Sequence, residues 1–411
     1  MTHDKTKRMN GHQHSATDTS VRLFSEDSVS LAEFEIICSQ VTRPETYPLA
    51  AAIEKNIPIY ELSTPAPDHA TAARLQDEWY HILHSGPGFF VLKGMYAPSQ
   101  YGHTLSAASN AFQQIVKRER EAATAQKGDH FAAGGRNDRI WNSFSKHALE
   151  DPASFVDYYS NPWLALVCDA WLGPGYRVTA QVNVVKPGGA AQNPHRDYHL
   201  GFQDFERSLR FPRSAHVNSQ FLTLQGAVAH SAMPIESGPT RLLPFSQTFP
   251  PGFLAYRRED FQAFFQKHYV ALPLCLGDGI FFNPAIFHAA GANETPLEGN
   301  FHRSANLLQI SSPFGKPMET VDAIPLVEVT WDILTQKYIS EGKFLSERIK
   351  SFVQSVAEGY PFPTNLDKRP PSPSGMAPES EQELLLRALQ EGWDTQKVVG
   401  ELKKMRMDAQ P

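Results

Sequence analysis

The chain lacks any long apolar run. None of its 411 residues belong to a stretch of the ~18–20 consecutive apolar residues that a membrane-spanning helix requires. Its first twenty residues, MTHDKTKRMNGHQHSATDTS, lack the apolar core of a secretory signal. Positive charge is not in excess either, since 38 Lys and Arg stand against 44 Asp and Glu, a net charge of -6. We therefore expect neither a membrane span nor a nucleic-acid-binding face, because the latter needs a basic surface.

Cysteine is scarce. The only three, Cys38, Cys168 and Cys275, lie far apart in the sequence, and no Cys-x-x-Cys motif is present. The strand–turn–helix signature of a serine hydrolase, Gly-x-Ser-x-Gly, is missing as well. A disulfide scaffold and a serine hydrolase are therefore unsupported, and a reducing, cytoplasmic compartment is the simplest expectation.

Proline and glycine are plentiful, with 31 and 26 residues, which favours many short elements joined by turns. From about residue 176 to 312, short β-rich runs such as RVTAQVNVV, SQFLTLQGAVAH and DGIFF alternate with Pro- and Gly-containing turns. Six or more short strands of this kind predict a sandwich or jelly roll rather than a parallel α/β sheet. The fold class that we expect is mainly β with flanking helices.

The composition divides the chain into five segments. A polar stretch without period predicts a disordered tail, a main domain with the β core follows, and a helical extension leads through a Pro- and Ser-rich linker to a last helical segment. In order, these are residues 1–30, 31–316 (β core about 176–312), 317–359, 360–378 and 379–411.

Apolar periodicity predicts the main helices. Leu75, Trp79, Ile82 and Leu83 form one apolar face of a helix over residues 71–84, and a more polar helix is expected over 98–123. The residues from 331 to 357 are the main helical candidate beyond the β core. The last helix is expected over 381–390, since Ser380 and Glu383 have the spacing of a capping box.

Side chains of the metal-ligand type are densest in the run NPHRDYH. On a strand, residues i and i+2 point the same way, so His195 and Asp197 would present an imidazole and a carboxylate to one face, with His199 possible as a third. The pair alone indicates equally well a hydrogen-bonded couple that braces a turn. The metal-site interpretation gains support because His288 follows the apolar run GIFFNPAIF, where a histidine could complete a 2-His-1-carboxylate metal site.

Further along, Arg303 begins the strand RSANLLQIS. A guanidinium at that position could hold a carboxylate by two parallel hydrogen bonds, although an ordinary surface salt bridge is the alternative. The segment GGRNDRIWNSFSKH, residues 134–147, could form a substrate lid or a loop held in place by its arginines. The residues alone favour neither interpretation.

Four segments, in this order and at this spacing, resemble the phytanoyl-CoA dioxygenase family of Fe(II)- and 2-oxoglutarate-dependent oxygenases. They are GPGFFVLKGMYAPSQY, QVNVVKPGGAAQNPHRDYH, ESGPTRLLPFSQTF, and DGIFFNPAIFHAAGAN followed by RSANLLQIS. The resemblance covers about residues 86–312. It implies a double-stranded β-helix, that is, a cupin-like jelly-roll core, for the main domain.

The resemblance also implies a set of site residues. His195, Asp197 and His288 would bind Fe(II), and Arg303 would bind the distal carboxylate of 2-oxoglutarate. Strand parity, meaning that alternate residues of a strand share one face, adds four candidates for the co-substrate and pocket contacts. They are Thr223, Gln225, Gln181 and Asn183.

The function expected from the resemblance is that of a dioxygenase. It would use O2 and 2-oxoglutarate to hydroxylate an aliphatic carbon of a small soluble metabolite and would release succinate and CO2. Two alternatives stay open: a cupin-like metal-dependent isomerase or lyase that does not use 2-oxoglutarate, and a non-catalytic β-barrel binding protein.

Overall fold

The computed structural model describes residues 21–62, 67–122 and 136–411. Most of the predicted tail lies outside these ranges. Of its described part, residues 26–28 form a short 3-10 helix, Leu23 pairs with Pro212, and Val29 is buried. Leu23 and Val29 of this segment therefore contact other elements of the described chain, and the predicted tail boundary stays a prediction.

Ten strands and fourteen α-helices lie in the described ranges. The strands are β1 (Ala52–Glu54), β2 (Ile57–Glu61), β3 (Phe89–Lys93), β4 (Asn137–Ile140), β5 (Arg177–Val185), β6 (Thr223–Ala229), β7 (Thr240–Leu242), β8 (Gly279–Phe282), β9 (His288–Ala290) and β10 (Arg303–Ser311). The helices are α1 (Leu31–Cys38), α2 (His69–His84), α3 (Pro98–Ala122), α4 (Ser143–Glu150), α5 (Pro152–Tyr159), α6 (Pro162–Leu172), α7 (Phe205–Leu209), α8 (Arg213–Asn218), α9 (Gly252–Ala255), α10 (Glu259–His268), α11 (Ala323–Ser340), α12 (Glu347–Val356), α13 (Glu381–Glu391) and α14 (Thr395–Ala409).

Two sheets enclose the site. The larger has eight strands in the order β1-β2-β3-β8-β6-β10-β5-β4, and every neighbouring pair is antiparallel except β2 and β3. The smaller consists of β7 and β9, and single bridges add His195 beside His288 and Val270 beside Leu242. A cavity is lined by residues of both sheets. This is the expected double-stranded β-helix with flanking helices, and the fold prediction is confirmed.

Alternation along the central strands separates the two faces of the larger sheet. In β5, Val178, Ala180 and Val182 pack into the large apolar core that the helices share, while Gln181 and Asn183 face the cavity. Strand residues alternate between faces, so the sequence QVNVV delivers polar side chains to the site and apolar ones to the helical layer. The core strands β5 to β10 run from Arg177 to Ser311, and the division of the chain into domains stays a prediction.

The helix predicted over 71–84 is confirmed as α2, with all four apolar-face residues buried. Asp68 caps it by accepting a hydrogen bond from the backbone N–H of Thr71, and Trp79 stacks on Phe90 of β3 at 5.4 Å between ring centroids. The helix predicted over 98–123 corresponds to α3. None of the described helices is long and apolar enough to cross a membrane.

The single helix predicted over 331–357 is wrong, because two helices occupy the region. Between α11 and α12 the chain turns through Gly342 and Lys343, whose φ angles of 77° and 58° are left-handed. Ser346 then caps α12 by accepting a hydrogen bond from the backbone N–H of Ile349. Apolar residues continue at helical spacing on both sides of the turn, so periodicity alone does not reveal that the helix ends there.

The last two helices pack on the core. The capping box at the start of α13 is confirmed, since Ser380 accepts from the backbone N–H of Glu383 and the Glu383 side chain accepts from that of Ser380. Val398 and Leu402 of α14 are fully buried in the large core. Trp331 of α11 donates its indole N–H to the carbonyl of Trp393 at 2.8 Å.

A buried histidine in the helical layer makes stability depend on pH. His147 of α4 has no exposed surface and shares a hydrogen bond of 2.8 Å with Ser154, and burial lowers its pKa from 6.5 to about 3. The unfolded chain binds a proton near pH 6.5 and the folded chain only near pH 3, so stability is lost as the pH falls through this window.

We expect the free energy of unfolding to decrease from pH 7 to pH 5 by about 2 kcal/mol more in the wild type than in His147→Gln. Denaturant unfolding of both proteins at the two pH values measures this difference, and the other titrating groups cancel in the comparison. An equal pH dependence in the two proteins would contradict the assignment.

Candidate metal centre and active site

Strand pairing brings the two predicted histidine ligands together although they are far apart in sequence. The backbone N–H of His195 donates to the carbonyl of His288 at 2.9 Å, and the return bond is 3.1 Å. Asp197 is held to the same segment because its N–H donates to the carbonyl of Pro284 at 3.1 Å. One ligand atom from each of His195, Asp197 and His288 lies within 4.8 Å of the others.

Backbone carbonyls orient both imidazole rings. Nδ1 of His195 bonds to the carbonyl of Asn193 at 2.8 Å, and Nδ1 of His288 bonds to that of Ile286 at 2.9 Å. A carbonyl only accepts, so Nδ1 carries the proton in each ring and Nε2 keeps its lone pair. The two Nε2 atoms lie 3.7 and 3.5 Å from the Asp197 carboxylate oxygens. Metal-binding histidines are typically held in this way.

Electrostatics keep the Asp197 carboxylate ionised. Burial alone would raise the pKa of Asp197, but His195, His288 and a hydrogen bond from Gln225 outweigh it and hold this pKa well below its usual range. Burial is also the main cause that lowers the pKa of His195, and the nearby positive charge of Arg139 acts in the same direction. A deprotonated carboxylate and a neutral imidazole are the forms that bind a metal ion.

The donor set fits iron(II). Two imidazole nitrogens and one carboxylate oxygen form a three-ligand face, which leaves other coordination positions open, as in non-haem iron oxygenases. It is the one group of three or more His, Cys, Asp or Glu in the described ranges whose geometry suits a metal ion. The three side chains line a cavity of about 560 Å³, so the open positions would face space that a ligand can fill.

Apolar and polar side chains both line the cavity. The apolar ones include Met233, Leu274, Ile280, Phe282 and Leu307. The polar ones include Gln181, Asn183, Gln225, Arg303 and Gln309. A mostly apolar cleft with a few convergent polar groups is typical of a small-molecule site.

Arg303 lies at the start of β10 and is only 6% exposed. Its Nη1 donates to the carbonyls of Ser237 and Gly291, both at 3.2 Å, and burial lowers its pKa to about 10. Among the residues that the structure describes, no carboxylate forms an ion pair with it. A buried cation is costly without a counter-ion, so an acidic ligand would complete this site.

Three of the four candidates from strand parity line the cavity. They are Gln181, Asn183 and Gln225, whereas Thr223 does not line it. Thr223 is fully buried at the first position of β6, and its carbonyl accepts the indole N–H of Trp171 at 2.9 Å. Parity places Thr223 on the correct face of the strand, but the cavity ends before that position is reached.

His199 does not continue the row of His195 and Asp197. Tyr198 and His199 have left-handed φ angles of 65° and 41°, and His199 begins a short 3-10 helix. The imidazole of His199 instead bonds to the hydroxyl of Ser219 at 2.9 Å. The strand geometry assumed for this segment ends at Asp197.

A hydrogen-bond chain that the motifs did not reveal holds the Asp197 carboxylate. Gln225 donates to Oδ2 of Asp197 at 2.5 Å and to Oε1 of Gln309 at 3.3 Å. Tyr198 donates its hydroxyl to the same Oε1 at 2.6 Å. Parity along β10 contained the missing signal, since Gln309 lies six residues after Arg303 and so on the same face.

We expect Gln225→Leu to lower the affinity for iron(II) by about 10- to 100-fold, because the Asp197 carboxylate loses the partner that orients it. Competition with a coloured chelator under anaerobic conditions measures this affinity. Thr223→Val is the matched control, since it changes a residue two positions away that does not line the cavity. Equal iron affinities in the two variants would show that Gln225 does not orient the ligand.

The segment expected to be a lid or a loop is mostly regular structure. Residues 134 and 135 lie outside the described residues, but β4 pairs with β5 and α4 begins at Ser143. Arg139 and Trp141 line the cavity. The segment is therefore a strand at the edge of the larger sheet followed by a helix, and it contributes side chains to the site.

Comparisons with known proteins identify a family for this chain. The phytanoyl-CoA dioxygenase (PhyH) family matches residues 85–297, just over half of the chain. A comparison with curated proteins finds no significant match. Among solved structures, the chain is similar to SnoN, a non-heme alpha-ketoglutarate-dependent epimerase from nogalamycin biosynthesis, with 18% identity over 60% of this chain and 82% of SnoN at a TM-score of 0.40.

A second similar structure is SnoK, a non-heme alpha-ketoglutarate-dependent carbocyclase from nogalamycin biosynthesis. It shares 16% identity over 59% of this chain and 86% of SnoK, at a TM-score of 0.42. The family match extends from just before β3 to the segment that follows His288 and β9. The chain therefore belongs to the phytanoyl-CoA dioxygenase family of enzymes that depend on iron(II), 2-oxoglutarate and O2.

Proposed function

We propose that the protein hydroxylates an aliphatic carbon of a small metabolite. In this reaction one oxygen atom of O2 enters the product alcohol and the other enters succinate, while 2-oxoglutarate loses CO2. The observation that carries the proposal is the buried Arg303 cation, which lacks a carboxylate partner in the described residues and lines the same cavity as the three-ligand face.

His195, Asp197 and His288 would hold the iron, which when bound supplies the activation of O2. The protein's own groups set the geometry. The carbonyls of Asn193 and Ile286 fix the imidazole rings, and Gln225 fixes the carboxylate. These hydrogen bonds orient all three side chains, which is the requirement for a precise site.

Arg303 would bind the outer carboxylate of 2-oxoglutarate. Its Nη1 is anchored to two backbone carbonyls, so the guanidinium is fixed in direction while its remaining N–H groups stay available for a bidentate bond. The apolar side chains of Met233, Ile280 and Phe282 would exclude water from the reacting carbon.

The test is an anaerobic titration of the Fe(II)-loaded protein with 2-oxoglutarate. We expect a weak visible charge-transfer band, which arises when the co-substrate chelates an iron with open positions. In air, succinate release that depends on an added metabolite should then identify the substrate, and mass spectrometry should show one added oxygen atom.

The two alternatives give different results. Bound iron without a band on addition of 2-oxoglutarate would favour the cupin-like isomerase or lyase. Failure to bind iron at all would favour a non-catalytic binding protein. A product that has lost two hydrogens or closed a ring without gaining oxygen would keep the enzyme class and exclude hydroxylation.

A further inference from the structure

Four side chains form a closed ring that contains the Asp197 carboxylate. Gln225 donates to Oδ2 of Asp197 at 2.5 Å and to Oε1 of Gln309 at 3.3 Å. The Tyr198 hydroxyl donates to the same Oε1 at 2.6 Å, and the ring closes because residues 197 and 198 are adjacent in the chain. Gln225 and Gln309 lie directly opposite each other in the β6–β10 pairing, so they share a face of the larger sheet.

The ring holds the carboxylate of Asp197 from a different side than the backbone does. The backbone N–H of Asp197 donates to the carbonyl of Pro284, which lies between β8 and β9. The carboxylate instead bonds to Gln225 of β6, in the larger sheet. The backbone therefore fixes the place of Asp197, and the ring sets the direction of its carboxylate.

The hydrogen bonds of the ring run in one direction only. An ionised carboxylate can only accept, so Gln225 must turn its Nε2 toward Asp197. The second N–H of that amide then meets Oε1 of Gln309. This orientation leaves Oε1 of Gln225 buried without a hydrogen-bond partner among the described residues, which is unfavourable. The amide of Gln225 therefore needs its neighbours to hold it in place.

Tyr198 holds the far end of the ring. Its hydroxyl donates to Oε1 of Gln309 and so favours the amide orientation that Gln225 requires. Tyr198 is 3% exposed and is not among the described residues that line the cavity. Its φ of 65° is strained for a residue other than glycine, and such strain persists where surrounding contacts enforce it.

We propose that Tyr198 is a positioning residue for the Asp197 carboxylate. It acts through Gln309 and Gln225, whose amides it keeps in the one orientation that presents an N–H to the carboxylate. Partners that orient a ligating carboxylate strengthen metal binding without touching the metal. This inference rests on the proposed function, because it treats Asp197 as a metal ligand.

The first test measures the iron(II) affinity of Tyr198→Phe by competition with a coloured chelator under anaerobic conditions. We expect an affinity about 3- to 10-fold below that of the wild type, since the variant keeps the aromatic ring but loses one hydrogen bond. Tyr96→Phe is the matched control, because Tyr96 is fully buried in the large core and donates its hydroxyl to the carbonyl of Tyr158 at 2.8 Å. Its iron(II) affinity should equal that of the wild type.

A double-mutant cycle tests the route of the effect. In a Gln225→Leu background, Tyr198→Phe should cause no further loss of iron(II) affinity, because the link to the carboxylate is already broken. A residue that only supports the fold would weaken binding by the same factor in both backgrounds.

Cobalt(II) gives a readout that depends neither on turnover nor on 2-oxoglutarate, since its visible absorption reports the number and arrangement of its ligands. We expect the spectrum of Co(II)-loaded Tyr198→Phe to differ from that of the wild type. The spectrum of Co(II)-loaded Tyr96→Phe should match the wild type.

Three results would overturn the proposal. One is a Tyr198→Phe protein with the iron(II) affinity and the Co(II) spectrum of the wild type. Another is an equal loss of affinity in Tyr96→Phe, which would indicate general destabilisation. The third is the same loss in both backgrounds of the cycle, which would show that Tyr198 does not act through Gln225.

Failure of the proposed function looks different. The wild type would then bind iron(II) with this dependence on Tyr198 and show no response to 2-oxoglutarate. A wild type that binds no metal ion would overturn both proposals.

Discussion

Replacing His288 by alanine is expected to reduce succinate formation by about three orders of magnitude or more, because a metal centre supplies several kcal/mol of transition-state stabilisation. His288 is buried, and its ring nitrogen is one of the three candidate ligand atoms that meet at the cavity. With two ligands left, the iron(II) affinity should fall as well. Iron content after anaerobic desalting and succinate release measure the two effects.

The matched control is His199→Ala. His199 lies in the same His-Arg-Asp-Tyr-His run as the other two ligands, but the structure bonds it to Ser219 instead of the cavity. We expect this variant to retain iron and most of the activity. If His199→Ala lost iron and His288→Ala kept it, the ligand set would have to be reassigned.

The second large effect is expected from Arg303→Gln, which should weaken 2-oxoglutarate binding by about 100-fold or more. The guanidinium is buried, and it would form two charge-assisted hydrogen bonds with the outer carboxylate, each worth about 1.5–3 kcal/mol. Glutamine keeps a donor but not the charge or the fork. Iron binding should be unchanged, since Arg303 is not a ligand.

Thermal unfolding of the Zn(II)-loaded protein measures this effect. A co-substrate concentration of 100 times the wild-type dissociation constant should stabilise the wild type by about 2.7 kcal/mol and leave the variant almost unaffected. Arg303→Lys should fall between the two, because it keeps the charge without the bidentate geometry. A response of Arg303→Gln equal to that of the wild type would remove the main support for the proposed function.

The grouping of the three candidate metal ligands with Arg303 at one cavity could be predicted because their positions follow from strand order and parity. His195 forms a single bridge to His288 of β9, and Gln181, Asn183 and Gln225 face the cavity because alternate residues of a strand share a face. Parity carries no information on how far a cavity extends along a strand. For this reason the prediction extends to Thr223, at the first position of β6, which does not line the cavity.

Other features depend on tertiary contacts that the local sequence does not encode. β4 has the polar sequence NDRI, which lacks the apolar alternation of a strand, and it exists because β5 offers a free edge. The positive φ angles of Tyr198 and His199 likewise give no signal in the sequence, since neither residue is a glycine. Arg139 and the chain from Tyr198 through Gln309 to Gln225 became visible only when these elements were placed together.

The way in which the imidazoles are anchored separates the orientation of the candidate metal ligands from the recognition of a substrate. Each ring is held by the carbonyl two residues before it in its own chain, a contact made by the backbone. The orientation of these two imidazoles is therefore insensitive to which side chains occupy the rest of the cavity. Residues on β4 and β5 can diverge under selection for a new substrate while His195 and His288 keep their orientation. Such modularity allows one scaffold to support many chemistries over evolutionary time.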